Sequence, residues 1–169
     1  MDALKLLKED HEKVDELFDA FEKSTDRAQK KRRLLVDKIC HELTVHAAIE
    51  EKIFYPAVRR ADEEIGDMIL EAFEEHAIVK QLVAQLKSMS ETDERFAPKT
   101  KVLTELVRHH VKEEEKDLFP KVKKVMSAEE REVLGEQLEQ AKLRVQKAEA
   151  EALDRRPRSN GNGQSASVR

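Results

Sequence analysis

Little in this sequence interrupts a helix. Only four of its 169 residues are glycine and only four are proline, while Glu, Lys, Leu, Ala and Val, which lose little freedom in a helix, are abundant, so a mostly helical fold is expected. There is one cysteine, Cys40; it has no partner for an internal disulfide and belongs to no thiolate metal motif or C-x-x-C pair. No stretch approaches the roughly 20 apolar residues of a membrane helix. The opening MDALKLLKEDHEK lacks the continuous apolar segment of a signal peptide. These absences lead us to expect a cytoplasmic chain with no membrane partner. Charge of one sign is lacking too: the net charge is only −4 with acids and bases interspersed, which supplies no electrostatic footprint for nucleic acid.

What is present is a 40% charged chain of a length suited to one domain. Apolar residues at helical spacing mark four main helices. Leu4, Leu7, Val14, Phe18 and Phe21 define the first, which ends in the loop around Ser24, Thr25 and Asp26, where Thr25 or Asp26 is placed to cap the next helix. The second runs from about Arg27, with Leu35, Ile39, Leu43 and Ile53 inward, to a bend or stop before Pro56. The third begins at an Asp62 cap and carries Ile65, Ile69, Phe73, Val79, Val83 and Leu86; the fourth opens near Pro98, carries Val102, Leu103, Leu106 and Val107, and meets Pro120. An antiparallel up-down-up-down four-helix bundle over residues 1–125 follows from these lengths. Ser127 to Glu130 has the S-x-x-E form of a capping box, opening an additional C-terminal amphipathic helix (126–150) with Leu134, Leu138, Ala141 and Val145 on one side, suited to docking on the bundle or pairing with another copy. Residues 151–169 are polar and read as a disordered tail.

Several polar residues occupy positions that the apolar stripes reserve for the core. Steps of three and four connect Leu7, His11 and Val14; Leu43, His46, Glu50 and Ile53; Phe73, His76 and Val79; and Val107, His110, Glu114 and Leu118. A lone histidine on such a stripe is ordinarily a hydrogen-bonded core residue, but a buried carboxylate without a partner is costly, and four histidines with two turn-spaced glutamates call for one cause. The H-x-x-x-E spacing sets both groups on one face about 6 Å apart along the axis. Two such motifs facing two more histidines make a cage for two metal ions bridged by carboxylates. Imidazole and carboxylate without thiolate suit iron, manganese or zinc, and carboxylate bridging inside a bundle is the geometry of di-iron proteins. Two ions outweigh two glutamates in charge, so an oxo or hydroxo bridge is expected.

The order His11, His46-x-x-x-Glu50, His76, His110-x-x-x-Glu114, with HAAIEEKIFYP repeated 64 residues later as HVKEEEKDLFP, resembles the hemerythrin-like HHE cation-binding family over about residues 1–125. The resemblance implies a hemerythrin-like bundle with a non-haem di-iron centre that meets oxygen, hydrogen peroxide or nitric oxide. The chain departs from the oxygen carriers of that family: Lys80 stands where they have a further histidine, and Glu115, five residues after His110, stands where they place a ligand carboxylate. Glu114, matching Glu50, is the favoured ligand, with Glu115 the alternate. With one imidazole fewer than a carrier, the expected role is reaction with peroxide or oxygen, catalase-like turnover in oxidative-stress defence, or else iron, oxygen or nitric oxide sensing or binding without turnover. A monomer or weak homodimer is expected.

The remaining polar residues draw blander expectations. Tyr55, whose repeat partner is Phe119, is expected to pack, with bonding or ligation near the metals as the other option. Phe54, Phe73 and Phe119 are expected in the core. His41 and His109 fall off the stripes and read as surface residues. Glu51, Glu113 and Glu115 read as solvated charge with the option of hydrogen bonds to ligand imidazoles.

Overall fold

Asp2 starts the first helix: its Oδ1 accepts the Leu4 N–H at 2.8 Å, satisfying one of the amides that a helix start leaves unpaired. In the computed structural model, which describes residues 1–154, α1 spans Ala3–Glu22, α2 Gln29–Ile49, α3 Tyr55–Arg59, α4 Glu63–Ser88, α5 Phe96–Glu113, α6 Phe119–Val125 and α7 Ala128–Asp154. No strand occurs among the described residues. Asp62 caps α4 as expected, accepting from Glu64 N–H at 2.7 Å. The capping box of α7 forms reciprocally, Ser127 N–H donating to Glu130 Oε2 at 2.7 Å and Glu130 N–H to Ser127 Oγ at 3.2 Å.

Three expectations are corrected. Neither Thr25 nor Asp26 caps α2, whose N-cap, Ala28, has no side-chain bond; Asp26 is instead held 2.5 Å from Arg32. Val102 is exposed, the inward positions of α5 going to Leu103, Thr104 and Val107. Of the bend or stop expected before Pro56, the stop does not occur: the helix of His46 passes through a π-helical turn, Glu50–Phe54, and continues as α3. The repeat does the same, with a π turn at Glu114–Leu118 leading into α6. In both, an amide reaches back five residues, Tyr55 N–H to Glu50 O and Phe119 N–H to Glu114 O, and the proline follows within the first two positions of the next α segment, where its missing N–H costs least.

The core lies in two apolar blocks. One packs Leu4, Leu7, Ile49, Phe54, Tyr55, Ile65, Ile69, Leu118 and Phe119 together with Leu134 and Leu138 of α7. The other packs Val14, Phe18, Ile39, Leu43, Val79, Val83, Leu103 and Val107. α7 therefore docks on the bundle, against α1, α2 and the first π turn. It comes so close that a Cβ on Gly135 would lie 1.8 Å from Met1 O, so only glycine fits there. The helix extends to Asp154, four residues past its expected end, and residues 155–169 of the expected tail lie outside the described residues.

Candidate metal centre

Between the two apolar blocks lies a polar layer. His11 from α1, His46 from α2, His76 from α4 and His110 from α5 are all buried, and the π turns add Glu50, 0% exposed, and Glu114, 3% exposed. The structure brings all six expected site residues together in two overlapping donor groups, His11 with His46, Glu50 and Glu114, and Glu50 with His76 and His110, the donor atoms of each lying within 4.8 Å of one another. Glu50 Oε2 lies 3.2 Å from His46 Nε2 and 3.3 Å from His76 Nε2, so this one carboxylate serves both groups. Glu114 Oε2 lies 3.3 Å from His11 Nε2 and 3.7 Å from His110 Nε2.

A carboxylate stands behind each imidazole. His11 Nδ1 lies 3.0 Å from Glu115 Oε1, His76 Nδ1 3.0 Å from Glu51 Oε1 and His110 Nδ1 2.5 Å from Glu75 Oε2. His46 Nδ1 faces Asp10 Oδ2 at 3.7 Å, beyond a hydrogen bond, and Asp10 is ion-paired to Lys142 of α7. An ionised carboxylate only accepts, so Nδ1 of His11, His76 and His110 carries the proton and, in a neutral ring, Nε2 offers a lone pair. Yet His76 Nε2 faces His110 Nε2 at 3.1 Å, lone pair to lone pair, whereas His11 Nε2 faces His46 Nε2 at 3.2 Å, where a proton on His46 bridges the two. Opposed lone pairs at that distance repel unless a cation or a proton lies between them. Glu50 Oε1 and Glu114 Oε2 are likewise buried with no hydrogen-bond partner, a costly state for a carboxylate. These features fit metal cations, whose imidazole ligands characteristically donate their other N–H to a carboxylate.

Proton affinities point the same way. Burial opposes charge on His46, but Glu50 and Asp10 outweigh it and push its pKa up to about 10. His110 is raised against the effect of burial by Glu114 and Glu75. Burial would raise the Glu50 carboxyl, yet His46 and His76 hold it well below the usual carboxylate range. The layer attracts positive charge.

Tyr55 does not merely pack. Its ring is fully buried, and its hydroxyl donates to Glu114 Oε1 at 2.8 Å while lying 3.3 Å from Glu50 Oε2 and from His76 Nε2. Burial and the two glutamates raise its pKa well above the ordinary value, so the phenol keeps its proton. Phe119, its repeat partner, stacks on the His11 ring with centroids 6.0 Å apart. Glu114 points into the cage and Glu115 lies outside it. Asp10 and Glu75 were not anticipated, although a signal exists: all four outer carboxylates adjoin a cage residue in sequence, as Asp10-His11, Glu50-Glu51, Glu75-His76 and Glu114-Glu115. His41 pairs with Glu149 of α7 at 2.5 Å, and Lys80 with Glu51 at 2.6 Å.

On the side of the second apolar block, a cavity of about 20 Å³ touches all four cage histidines and is walled by Val14, Leu43, Ala47, Val79, Val107 and Val111. It is about the room one water-sized molecule requires.

Comparison with known proteins agrees with this geometry. The model of the hemerythrin HHE cation-binding domain matches residues 2–122. A protein named DNA nickase from Nostoc sp. is 32% identical over 146 residues, 86% of this chain but 40% of that protein. A hemerythrin-like protein of Schizosaccharomyces pombe is 32% identical over 90 residues, 53% of this chain and 44% of its own. The chain thus spans less than half the length of these two relatives. The crystal structure of a hemerythrin HHE cation-binding domain-containing protein from Mycobacterium kansasii superposes with a TM-score of 0.77 over 94% of this chain and 95% of that one, at 24% identity, and so shares the fold. With a buried histidine and glutamate cage at the centre of a matching helical bundle, the chain belongs to the hemerythrin HHE cation-binding family.

Proposed function

We propose that the chain is a non-haem di-iron protein that reacts with hydrogen peroxide or oxygen, with catalase-like turnover. The observation that carries this reading is the pair of donor groups joined at Glu50, the arrangement that two ions sharing a carboxylate require. His11, His46, His76, His110, Glu50 and Glu114 would hold the pair. Two iron ions, when bound, supply the two-electron exchange that peroxide chemistry needs.

The protein's own part is placement, protonation and shelter. Glu51, Glu75 and Glu115 fix the tautomer and orientation of three imidazoles. Tyr55 holds a proton 2.8 Å from Glu114 Oε1, where it steadies that carboxylate and stands ready to donate to an oxygen atom entering the cage. The aliphatic walls admit a small neutral molecule and keep bulk water out. Protein purified without added metal is expected to carry two irons per chain; a single zinc overturns the assignment. The loaded chain is expected to release oxygen from peroxide, 2 H2O2 giving 2 H2O and O2. If an oxygen electrode records no release above a His46→Ala control, the enzymatic reading fails.

Two observations favour other readings. The Lys142 to Asp10 ion pair ties α7 to the surroundings of His46, which suits a sensor of iron, oxygen or nitric oxide; equal protease sensitivity of α7 in the apo and loaded chain rejects it. The name of the Nostoc relative raises DNA strand cleavage. Open-circle product from supercoiled plasmid that disappears with His46→Ala would favour that reading, and intact plasmid sets it aside.

A further inference from the structure

The polar layer is approached differently on two equivalent faces of the bundle. The repeat relates α1 and α2 to α4 and α5 at offsets of 65 residues (His11 to His76) and 64 (His46 to His110). On the α1–α2 face, Leu6, Ile49, Ile53 and Ala57 form an apolar seat that packs in one cluster with Leu134, Leu138 and Ala141 of α7. The same four positions between α4 and α5 are Glu71, Glu113, Asp117 and Lys121. There, instead of a covering helix, lies an open cleft of about 380 Å³, rimmed by these residues and by Glu75, with His110 and Glu114 of the cage at its inner end.

We infer that this cleft is the port through which a divalent transition-metal cation enters, and that Glu75, His109 and Glu113 form its capture site. His109 Nε2 lies 3.2 Å from Glu113 Oε1 and 3.8 Å from Glu75 Oε1, and one donor atom of each lies within 4.8 Å of the others. One imidazole with two carboxylates is a donor set for iron, manganese or zinc. Glu75 joins the outer trio to the cage, since its other oxygen receives His110 Nδ1 at 2.5 Å. The cleft also leads inward to Glu114, 3% exposed, whose Oε2 makes no hydrogen bond and lies 3.3 Å from His11 Nε2 of the cage. Four rim carboxylates face a single cation, Lys121, which is drawn to Glu64 at 3.0 Å. A cleft lined by one sign of charge between low-dielectric walls raises the local concentration and arrival rate of the opposite charge. The ion passes from the rim to Glu75 and then to Glu114 and His110.

This inference rests on the reading of the inner cage as a metal centre, and the test separates the two. Apo full-length chain is mixed anaerobically with Fe²⁺ in a stopped-flow instrument, uptake is followed by competition with a chromogenic chelator, and final metal content is measured. His109→Ala and Glu113→Gln, both changes of exposed side chains, are expected to slow uptake about tenfold or more while final content stays at the parental level. Glu105→Gln, a charge removal on the same helix outside the cleft, is expected to leave the rate unchanged. Calorimetry with Mn²⁺ is expected to show, beside binding at the cage, one weaker binding event in the parent that His109→Ala and Glu113→Gln lose. Uptake within twofold of the parent in both variants, or slowing by Glu105→Gln as well, overturns the port while leaving the cage reading intact. A parent that takes up no metal overturns both.

Discussion

The segment around His46 and Glu50 and the segment around His110 and Glu114 start from one sequence pattern and meet different surroundings. Each sends a histidine and a glutamate into the layer, bends through a π turn, and spends its next glutamate on the histidine of a neighbouring helix, Glu51 on His76 and Glu115 on His11. Beyond that shared frame, the first carries Tyr55 and lies under α7, whereas the second carries Phe119 and opens onto acidic side chains. The outer partners differ as well: Glu75 holds His110 at 2.5 Å, while Asp10 stands 3.7 Å from His46 and leans on Lys142. Repetition supplies a near-symmetric cage, and the differences leave one side covered and the other open.

The most damaging test of this comparison removes the residue that the two donor groups share. Glu50→Ala is expected to leave the chain with little metal, whereas Glu114→Ala, which belongs to one group only, is expected to retain part of it; equal loss by elemental analysis would erase the distinction. Next come the outer partners. Glu75→Ala should weaken metal affinity about 10- to 100-fold, as removal of such a partner typically does, and Asp10→Ala should do so less, because its carboxylate lies beyond hydrogen-bond distance from His46. Chelator competition checks the order, and a larger loss with Asp10→Ala reverses the comparison.

The seal itself is tested at Gly135. An alanine there drives its methyl into Met1 O and Ala3 N, and overpacking of this kind costs about 1–3 kcal/mol, a fall in melting temperature of roughly 2 to 12 °C. Protease sensitivity should rise in α7 and not in α4 or α5. The smallest effect concerns Asp2, which is bonded to Arg131 of α7 at 2.8 Å. Burial would raise the Asp2 carboxyl, but Arg131 and the Leu4 amide outweigh it and hold it below its ordinary 3.8. Stabilisation from a lowered carboxyl is present above the unfolded value and lost as pH falls through the folded one. Asp2→Asn keeps a capping side chain but removes the charge. Its urea midpoint should therefore lie slightly below the parent near neutrality and converge with it in acid.

The four histidines and Glu50 were legible because burying a polar group on an apolar stripe is expensive, and a 3.6-residue period exposes the expense directly. Tyr55 was legible only as the second option beside packing, since α geometry puts the fifth residue after Glu50 about 140° around the helix, and the π turn returns it to the cage. Of the bend or stop expected before Pro56, the stop does not occur, for the same reason. Asp10 and Glu75 escaped because each adjoins one cage histidine in sequence yet serves the histidine of another helix, a relation that helical period alone does not carry. Docking of α7 was open from the sequence, whose apolar stripe suits a bundle or a second copy equally; the approach at Gly135 decides it.

The two π turns also limit how the chain can vary in length. Each accommodates one residue more than an α-helix would over the same stretch, so a single-residue deletion within 51–54 or 115–118 can relax to regular α geometry without breaking the helix. Such a deletion would make Tyr55 or Phe119 the fourth residue after Glu50 or Glu114, about 40° around an α-helix, so the segment beyond keeps its register. In the first turn Tyr55 would stay at the cage; in the second Phe119 would stay against His11. Shortened chains of this kind should fold as helices and keep both rings in place, whereas a one-residue deletion in the regular α segment before either turn would rotate everything beyond by about 100°.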